Sequence, residues 1–238
     1  MRRKCGANTD AREGTRVAAA RSALPFRIDI RRQPGEVSLL EPLASYLAQY
    51  QTLSEREFLH LVSLLRRRRI LRKERLFAPG EVRGLDVFVE SGCLRIYSGT
   101  DEGAEHILLF GIEDTWWCHN LMAGARFLPS VGIDALEPTD VLMLDPANKE
   151  QLCREVPAFD RLFRLLAQGT LEALQQRIVL SLQHTAGLRY QEFTRLHPTL
   201  EGRIPRYHVA SYLGICPEFF SKLRRRPAHR AGESHLPA

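Results

Sequence analysis

Six short β-rich runs occupy residues 70 to 145: ILRKERLF, LDVFVE, CLRIYS, AEHILLF, VGIDALE and VLMLD. Turn signals such as APGE, SG, GTDEG, GIED and PTD separate them. Strands this short, spaced about 8 to 12 residues apart with Gly, Pro and Asp between them, predict an antiparallel sandwich or barrel. CLRIYS and AEHILLF, joined through Gly99 to Gly103, form the most secure hairpin.

Helical periods flank this block. Upstream, LASYLAQY precedes LSEREFLHLVSLL, in which Ser54 and Glu57 have capping-box spacing. Phe58, Leu61, Val62 and Leu65 mark one apolar face, and the run Arg66 to Arg69 is expected to end that helix in solvent, where cations suit the C-terminus. Downstream, LFRLLAQGTLEALQQRIVLSLQ carries Leu171, Leu174, Ile178 and Leu182 at spacings of three and four. A helix this long behind a small β-domain needs cover for that stripe, and a two-fold helix pair explains its length. HTAGLRYQEFTRLHP predicts one further helix.

The chain ends in IPRYHVASYLGICPEFFSKLRRR, Ile204 to Arg226. Two short helices crossing sharply need a small residue at the crossing, which Ala210 provides. They also need a residue tolerant of positive φ in the turn, which Gly214 provides. Val209, Leu213, Ile215, Phe220 and Leu223 supply the mini-core. Cys216, Pro217 and Glu218 open the second helix, with Pro in its first turn and an acid at its positive end. All these positions agree with a helix-turn-helix. Pro217, Glu218, Ser221, Lys222 and Arg225 are then expected to face outward. In a major groove Glu218 accepts from a cytosine amino group and Lys222 donates to guanine. Arg224, Arg225 and Arg226 grip phosphates, as do Arg206 and Tyr207 on the flank, with Cys216 at the helix mouth. The alternative is a helical hairpin with a merely solvated charged face, or one that binds protein.

Charge placement agrees. Residues 1 to 38 carry 9 basic and 4 acidic side chains (+5), residues 39 to 202 carry 18 and 22 (−4), and residues 203 to 238 carry 7 and 2 (+5). Basic ends around an acidic middle suit a polyanion. Arg makes up 30 of the 34 basic residues, a bias that composition alone can produce, so position counts for more than the total. No run approaches the roughly 18 apolar residues of a membrane span. MRRKCGANTDAREGTR lacks the apolar core of a secretory signal, so a cytoplasmic protein is expected. Cys5, Cys93, Cys118, Cys153 and Cys216 form no CxxC, which argues against disulfides, structural zinc and cluster ligation.

A β-roll, a long helix and a helix-turn-helix, in that order, resemble the Crp–Fnr family of bacterial transcription regulators. FAPGEVRGLDVFVESGCLRIYSGTDEGAEHILLF, PAFDRLFRLLAQGTLEALQQRIVLSL and RIPRYHVASYLGICPEFFSKLRRR carry the likeness. It implies an α+β fold: a double-stranded β-helix (jelly-roll) domain like those that bind cyclic nucleotides, a dimerisation helix and a C-terminal DNA-binding domain. The expected divisions are a disordered basic tail at 1–38, the roll with flanking helices at 39–152, the dimer helix at 153–184 and the helix-turn-helix domain at 185–238. The resemblance further implies a homodimer on a near-palindromic, double-stranded operator, with RNA polymerase as a partner.

Family members that bind cyclic AMP use a Gly-Glu turn and a later Arg. Here the Gly-Glu pair falls on Cys118-His119 and the Arg on Pro129, with Arg126 nearby. Two of the three groups are missing, so an effector other than cyclic AMP is expected; a shifted loop using Arg126 is the alternative. Trp116, Trp117, His119 and Arg126 are the candidate lining of an effector pocket for an unknown small molecule. His106 and His119 are the available haem ligands, and a lone strand or loop His is usually structural. A cupin-type metal enzyme needs a His-x-His pair that is absent, and no GxSxG, P-loop or HExxH occurs. No enzyme activity, metal or cofactor is expected.

Overall fold

In a computed structural model of the chain, residues 40–78, 84–99, 104–118 and 131–225 are described. The expected basic tail, most of the Gly99–Gly103 turn and the 119–130 segment lie outside them.

Helix α1 (Glu41–Ala48) and helix α2 (Glu55–Leu64) open the fold. The capping box is formed: the Ser54 N–H donates to Glu57 Oε2 at 2.7 Å, and the Glu57 N–H donates back to Ser54 Oγ at 3.4 Å. Phe58 and Leu61 are buried, as their spacing requires.

The arginine run corrects the expectation. The helix stops at Leu64, and Leu65–Ile70 form strand β1, paired antiparallel with Thr139–Leu144 (β8) from Leu65↔Leu144 to Ile70↔Thr139. Arg is a good helix former, but the apolar strand Val141 to Leu144 needs a partner, and pairing overrides the local preference. Each arginine meets an acid: Arg66 Asp145, Arg67 Glu90, Arg68 Glu74 and Arg69 Asp140, at 2.8 to 3.7 Å. Strand β1 is the sheet edge, and charge along it discourages pairing with another chain.

The remaining strands are β2 (Arg75–Phe77), β3 (Asp86–Ser91), β4 (Cys93–Gly99), β5 (Glu105–Ile112), β6 (Thr115–Cys118) and β7 (Val131–Ala135). ILRKERLF is therefore two strands, reversed through Lys73 at φ 67°, a position where no glycine signals the turn. The short β6 was not anticipated. The two sheets run β1-β8-β3-β6 and β2-β7-β4-β5, the jelly roll expected. The CLRIYS/AEHILLF hairpin is present, with a register shift between Ile96 and Tyr97.

Alternation along the strands sends side chains to three apolar clusters. Val87, Val89, Leu94, Ile96, Trp117, Ile133 and Val141 meet between the sheets. Phe88, Trp116, Leu142 and Leu144 point outward from the first sheet onto α1, α2, α3 (Pro146–Glu155) and the start of α4 (Pro157–Gln183). Cys93, Tyr97, Ile107 and Phe110 point outward from the second sheet onto the C-terminal helices. Those are α5 (Ala186–Leu196), α6 (Leu200–Arg203), α7 (Arg206–Leu213) and α8 (Pro217–Arg225). Both sheets are thus covered on their outer faces, which explains why the strands read as nearly continuous apolar runs.

Helix α4 changes character midway. Phe159, Leu162, Phe163 and Leu166 are buried against the chain's own roll, whereas Leu171, Ile178, Val179 and Leu182 are exposed and Leu174 is half-buried. No described helix is long and apolar enough to cross a membrane.

Candidate nucleic-acid interface

The last two helices nest around Ala210, which is fully buried with Val209 and Phe220. Gly214 takes φ 67°, ψ 38°, and its N–H turns back to Ser211 O at 3.1 Å, while the Ile215 N–H reaches Ala210 O at 3.0 Å. An added Cβ at Gly214 would meet nothing within 4 Å, so backbone conformation alone calls for glycine there. The Phe220 ring sits edge-on to Tyr190 at 5.3 Å, tying α8 to α5.

The outward face of α8 is as expected: Pro217, Glu218, Ser221, Lys222 and Arg225 are exposed, as are Cys216 at its mouth and Arg206 and Tyr207 on the flank. The Ser221 hydroxyl donates to Pro217 O at 2.9 Å. Arg224 is exposed too, and it has a partner within its own domain. Its Nε lies 2.6 Å from Glu201 Oε1, and the other Glu201 oxygen accepts from the Tyr190 hydroxyl at 2.7 Å. Arg224, still exposed, therefore also ties α8 to its own domain. Arg226 lies outside the described residues. Phe219, which no sequence motif marks, is 47% exposed at the margin of the reading face. Its type gave no signal, because an aromatic residue inside an amphipathic stretch reads as core.

Of the candidate effector lining, Trp116 and Trp117 lie among the described residues. Trp116 and Trp117 are both buried, on opposite faces of β6: Trp116 packs on Phe163 and Phe88 with its indole N–H toward Asp86, and Trp117 fills the space between the sheets. Successive strand residues cannot wall one cavity, so the pair is not a single ligand wall. His119 and Arg126 lie outside the described residues, as does the rest of the 119–130 segment. His106 is exposed on β5. Burial pushes the Cys93 thiol up to about 12, with the Glu137 carboxylate adding to the shift, so this thiol is inert at neutral pH. Among the described residues, no three His, Cys, Asp or Glu side chains gather where a metal ion would sit.

His208, on α7, is 6% exposed and turned toward the roll. Burial, with the Arg95 guanidinium nearby, pushes its imidazole down to about 4, and the Asp134 carboxylate opposes this only in part. The unfolded chain, with an ordinary imidazole, binds a proton more readily than the folded one. Stability is therefore full above about pH 6.5 and is lost as pH falls toward 4, on the order of 3 kcal/mol in all and roughly 2 kcal/mol by pH 5. Urea titrations at pH 7 and pH 5 check this: His208→Gln should remove most of that part of the acid sensitivity. An unchanged pH slope in the variant would refute it.

No protein-family model matches the sequence, and no curated protein matches it. Solved structures match its fold. A crp/fnr-family candidate transcriptional regulator from Eubacterium rectale has a TM-score of 0.59 at 18% identity, over 76% of this chain and 86% of that one. FixK2 from Bradyrhizobium japonicum has a TM-score of 0.56 at 18% identity, over 67% and 82%. A mutant of CooA from Carboxydothermus hydrogenoformans has 0.52 at 25% identity, over 69% and 76%. The fold is that of the Crp–Fnr transcription regulators. It joins a roll of the cyclic-nucleotide-binding type, a long helix and a helix-turn-helix in one chain.

Proposed function

We propose that the protein is a DNA-binding transcription regulator, acting as a homodimer on a near-palindromic operator. It works by binding and not by catalysis. The carrying observation is the open face of α8: Glu218, Lys222 and Arg225 stand in solvent on a helix whose seat, at Ala210 and Gly214, is built for a sharp crossing. Glu218 and Lys222 read base edges, while Arg206, Tyr207 and Arg225 hold phosphates. The exposed half of α4 is the natural seam for a second copy, with Leu171, Leu174, Ile178 and Leu182 along it. The roll serves as a sensor domain for an effector other than cyclic AMP. The protein works in the cytoplasm, and RNA polymerase is the partner such a regulator acts upon.

Duplex binding tests the proposal. Two phosphate-neutralising cations per protomer (Arg206 and Arg225), doubled in a dimer, predict that affinity for random duplex falls by about 10²-fold between 50 and 200 mM salt. Glu218→Ala and Lys222→Ala should alter base preference in a selected duplex, each base contact being worth about 1–3 kcal/mol. Arg225→Ala should weaken all sequences alike. Salt-independent or undetectable binding would refute the proposal.

A further inference from the structure

The C-terminal domain is not simply tethered to the roll; it is clamped there, at one end of the roll and along one strand edge. Arg203, at the end of α6, reaches two carboxylates from different turns. Its Nη2 and Nη1 donate to Glu113 at 2.6 and 2.9 Å, and its Nε donates to Glu137 at 3.1 Å. Glu113 lies between β5 and β6, and Glu137 between β7 and β8. Glu113 also accepts from the Gly92 N–H, between β3 and β4, at 2.9 Å. One guanidinium thus gathers three turns of the roll, and its planar fork suits two carboxylates at once.

A second set of contacts covers β5, the edge of its sheet. The Ser211 hydroxyl accepts from the Ile107 N–H at 3.1 Å and donates to Glu105 O at 3.3 Å. From the long helix, Arg177 Nη2 donates to Ile107 O at 2.8 Å and to Tyr212 O at 2.9 Å, and its guanidinium lies 4.1 Å from the centre of the Tyr212 ring. Arg177 therefore joins three bodies at one point: the helix carrying the dimer stripe, the roll and the helix-turn-helix. Apolar contact completes the join, with Phe110 of the roll packed on Phe193 and Tyr212.

With all these contacts made, Glu218, Lys222 and Arg225 remain exposed. The clamp does not hide the reading face. What it does fix is the direction of α8 relative to α4. A dimer reading two half-sites must hold its two reading helices about 34 Å apart. A domain free to swing on the His184–Thr185 link would meet its second half-site at a lower effective concentration.

We infer that Arg203, seconded by Arg177 and Ser211, is a positioning residue that sets the spacing between the two reading helices of a dimer, and so selects operators by the length between half-sites. The inference rests on the DNA-binding reading above. It assigns specificity to residues that touch no base.

The test starts from a duplex that the wild-type chain retains out of a random pool. Affinity is measured for that duplex, for one half of it, and for versions lengthened or shortened between the halves. Wild type is compared with Arg203→Ala and, separately, with Glu113→Gln/Glu137→Gln, which preserves shape should the first variant fail to fold. Hydrogen exchange at the Ile107 amide reports whether the domain has loosened. We expect faster exchange at Ile107, unchanged half-site affinity, full-site affinity lower by about tenfold or more, and a flattened spacing preference. Three results would overturn the inference: unchanged exchange in both variants, a retained spacing preference despite faster exchange, or a gain in full-site affinity, which would make the clamp a restraint. Failure of the wild type to retain any duplex would sink the DNA reading itself. Exchange at Ile107 would still report, independently, whether Arg203 holds the domain.

Discussion

Ile178→Asp is expected to leave each chain folded, to convert the protein to monomers and to lower affinity for a two-half-site duplex by about 10²–10⁴-fold. The reasoning begins with exposure. Within one chain Ile178 is 59% exposed and Leu182 is 81% exposed, so a carboxylate at 178 meets water and costs the single chain almost nothing. The outcome differs only if a second chain covers the stripe. In a seam built from Leu171, Leu174, Ile178 and Leu182, each buried side chain contributes about 1.5–3 kcal/mol, and two-fold symmetry would place the two introduced charges close together. An uncompensated charge in an apolar seam is more costly than the methyl groups it replaces. The first half of α4 supplies the control. Phe159 and Leu162 are already buried against the roll, so a charge there should unfold the chain instead of separating two chains. Sedimentation and circular dichroism read the two outcomes apart, and an unchanged sedimentation profile for Ile178→Asp would refute the dimer stripe.

Legibility in the sequence followed the range of the forces involved. The capping box at Ser54 and Glu57, the Gly214 turn and the Ala210 crossing were readable because each is set by residues within a few positions of one another. The roll was readable in outline from its turn signals. The strand fate of Arg66 to Arg69 was not: helix propensity is local, whereas the partner that overrides it, Val141 to Leu144, lies more than seventy residues away. Lys73 hid a turn for a related reason, since a lysine at φ 67° carries no turn signature. Within the candidate interface, the outward set on α8 followed from helical spacing. The pairing of Arg224 with Glu201 depends on how α6 lies beside α8, and no spacing in the sequence encodes that. The Arg203 clamp is the extreme case, joining residues 66 and 90 positions apart in the chain.

Gly92→Ala should be among the most destabilising single changes in the roll, at about 2–6 kcal/mol. Two independent costs add. The backbone at Gly92 has φ 95°, a region that costs a residue with a Cβ about 1–3 kcal/mol. The added Cβ would also lie 2.5 Å from Thr139 Oγ1, 2.6 Å from Pro138 O and 2.7 Å from Thr139 Cα. Two of those atoms are backbone, and Thr139 is wholly buried, its hydroxyl oxygen accepting from the Cys93 N–H at 3.1 Å. Nothing at the contact is a free side-chain end that can swing away, so overpacking adds about 1–3 kcal/mol. For a chain of this length the melting temperature should fall by roughly 10 °C. Gly202→Ala is the matched control: the same methyl group would meet nothing within 4 Å, and it should be neutral or slightly stabilising. Because the Gly92 N–H also donates to Glu113, the substitution should disturb the seat of Arg203 as well as the turn. Faster exchange at the Ile107 amide should therefore accompany the lower melting temperature. Equal melting temperatures for the Gly92 and Gly202 variants would show that the β3–β4 turn adapts, and the steric argument would fail.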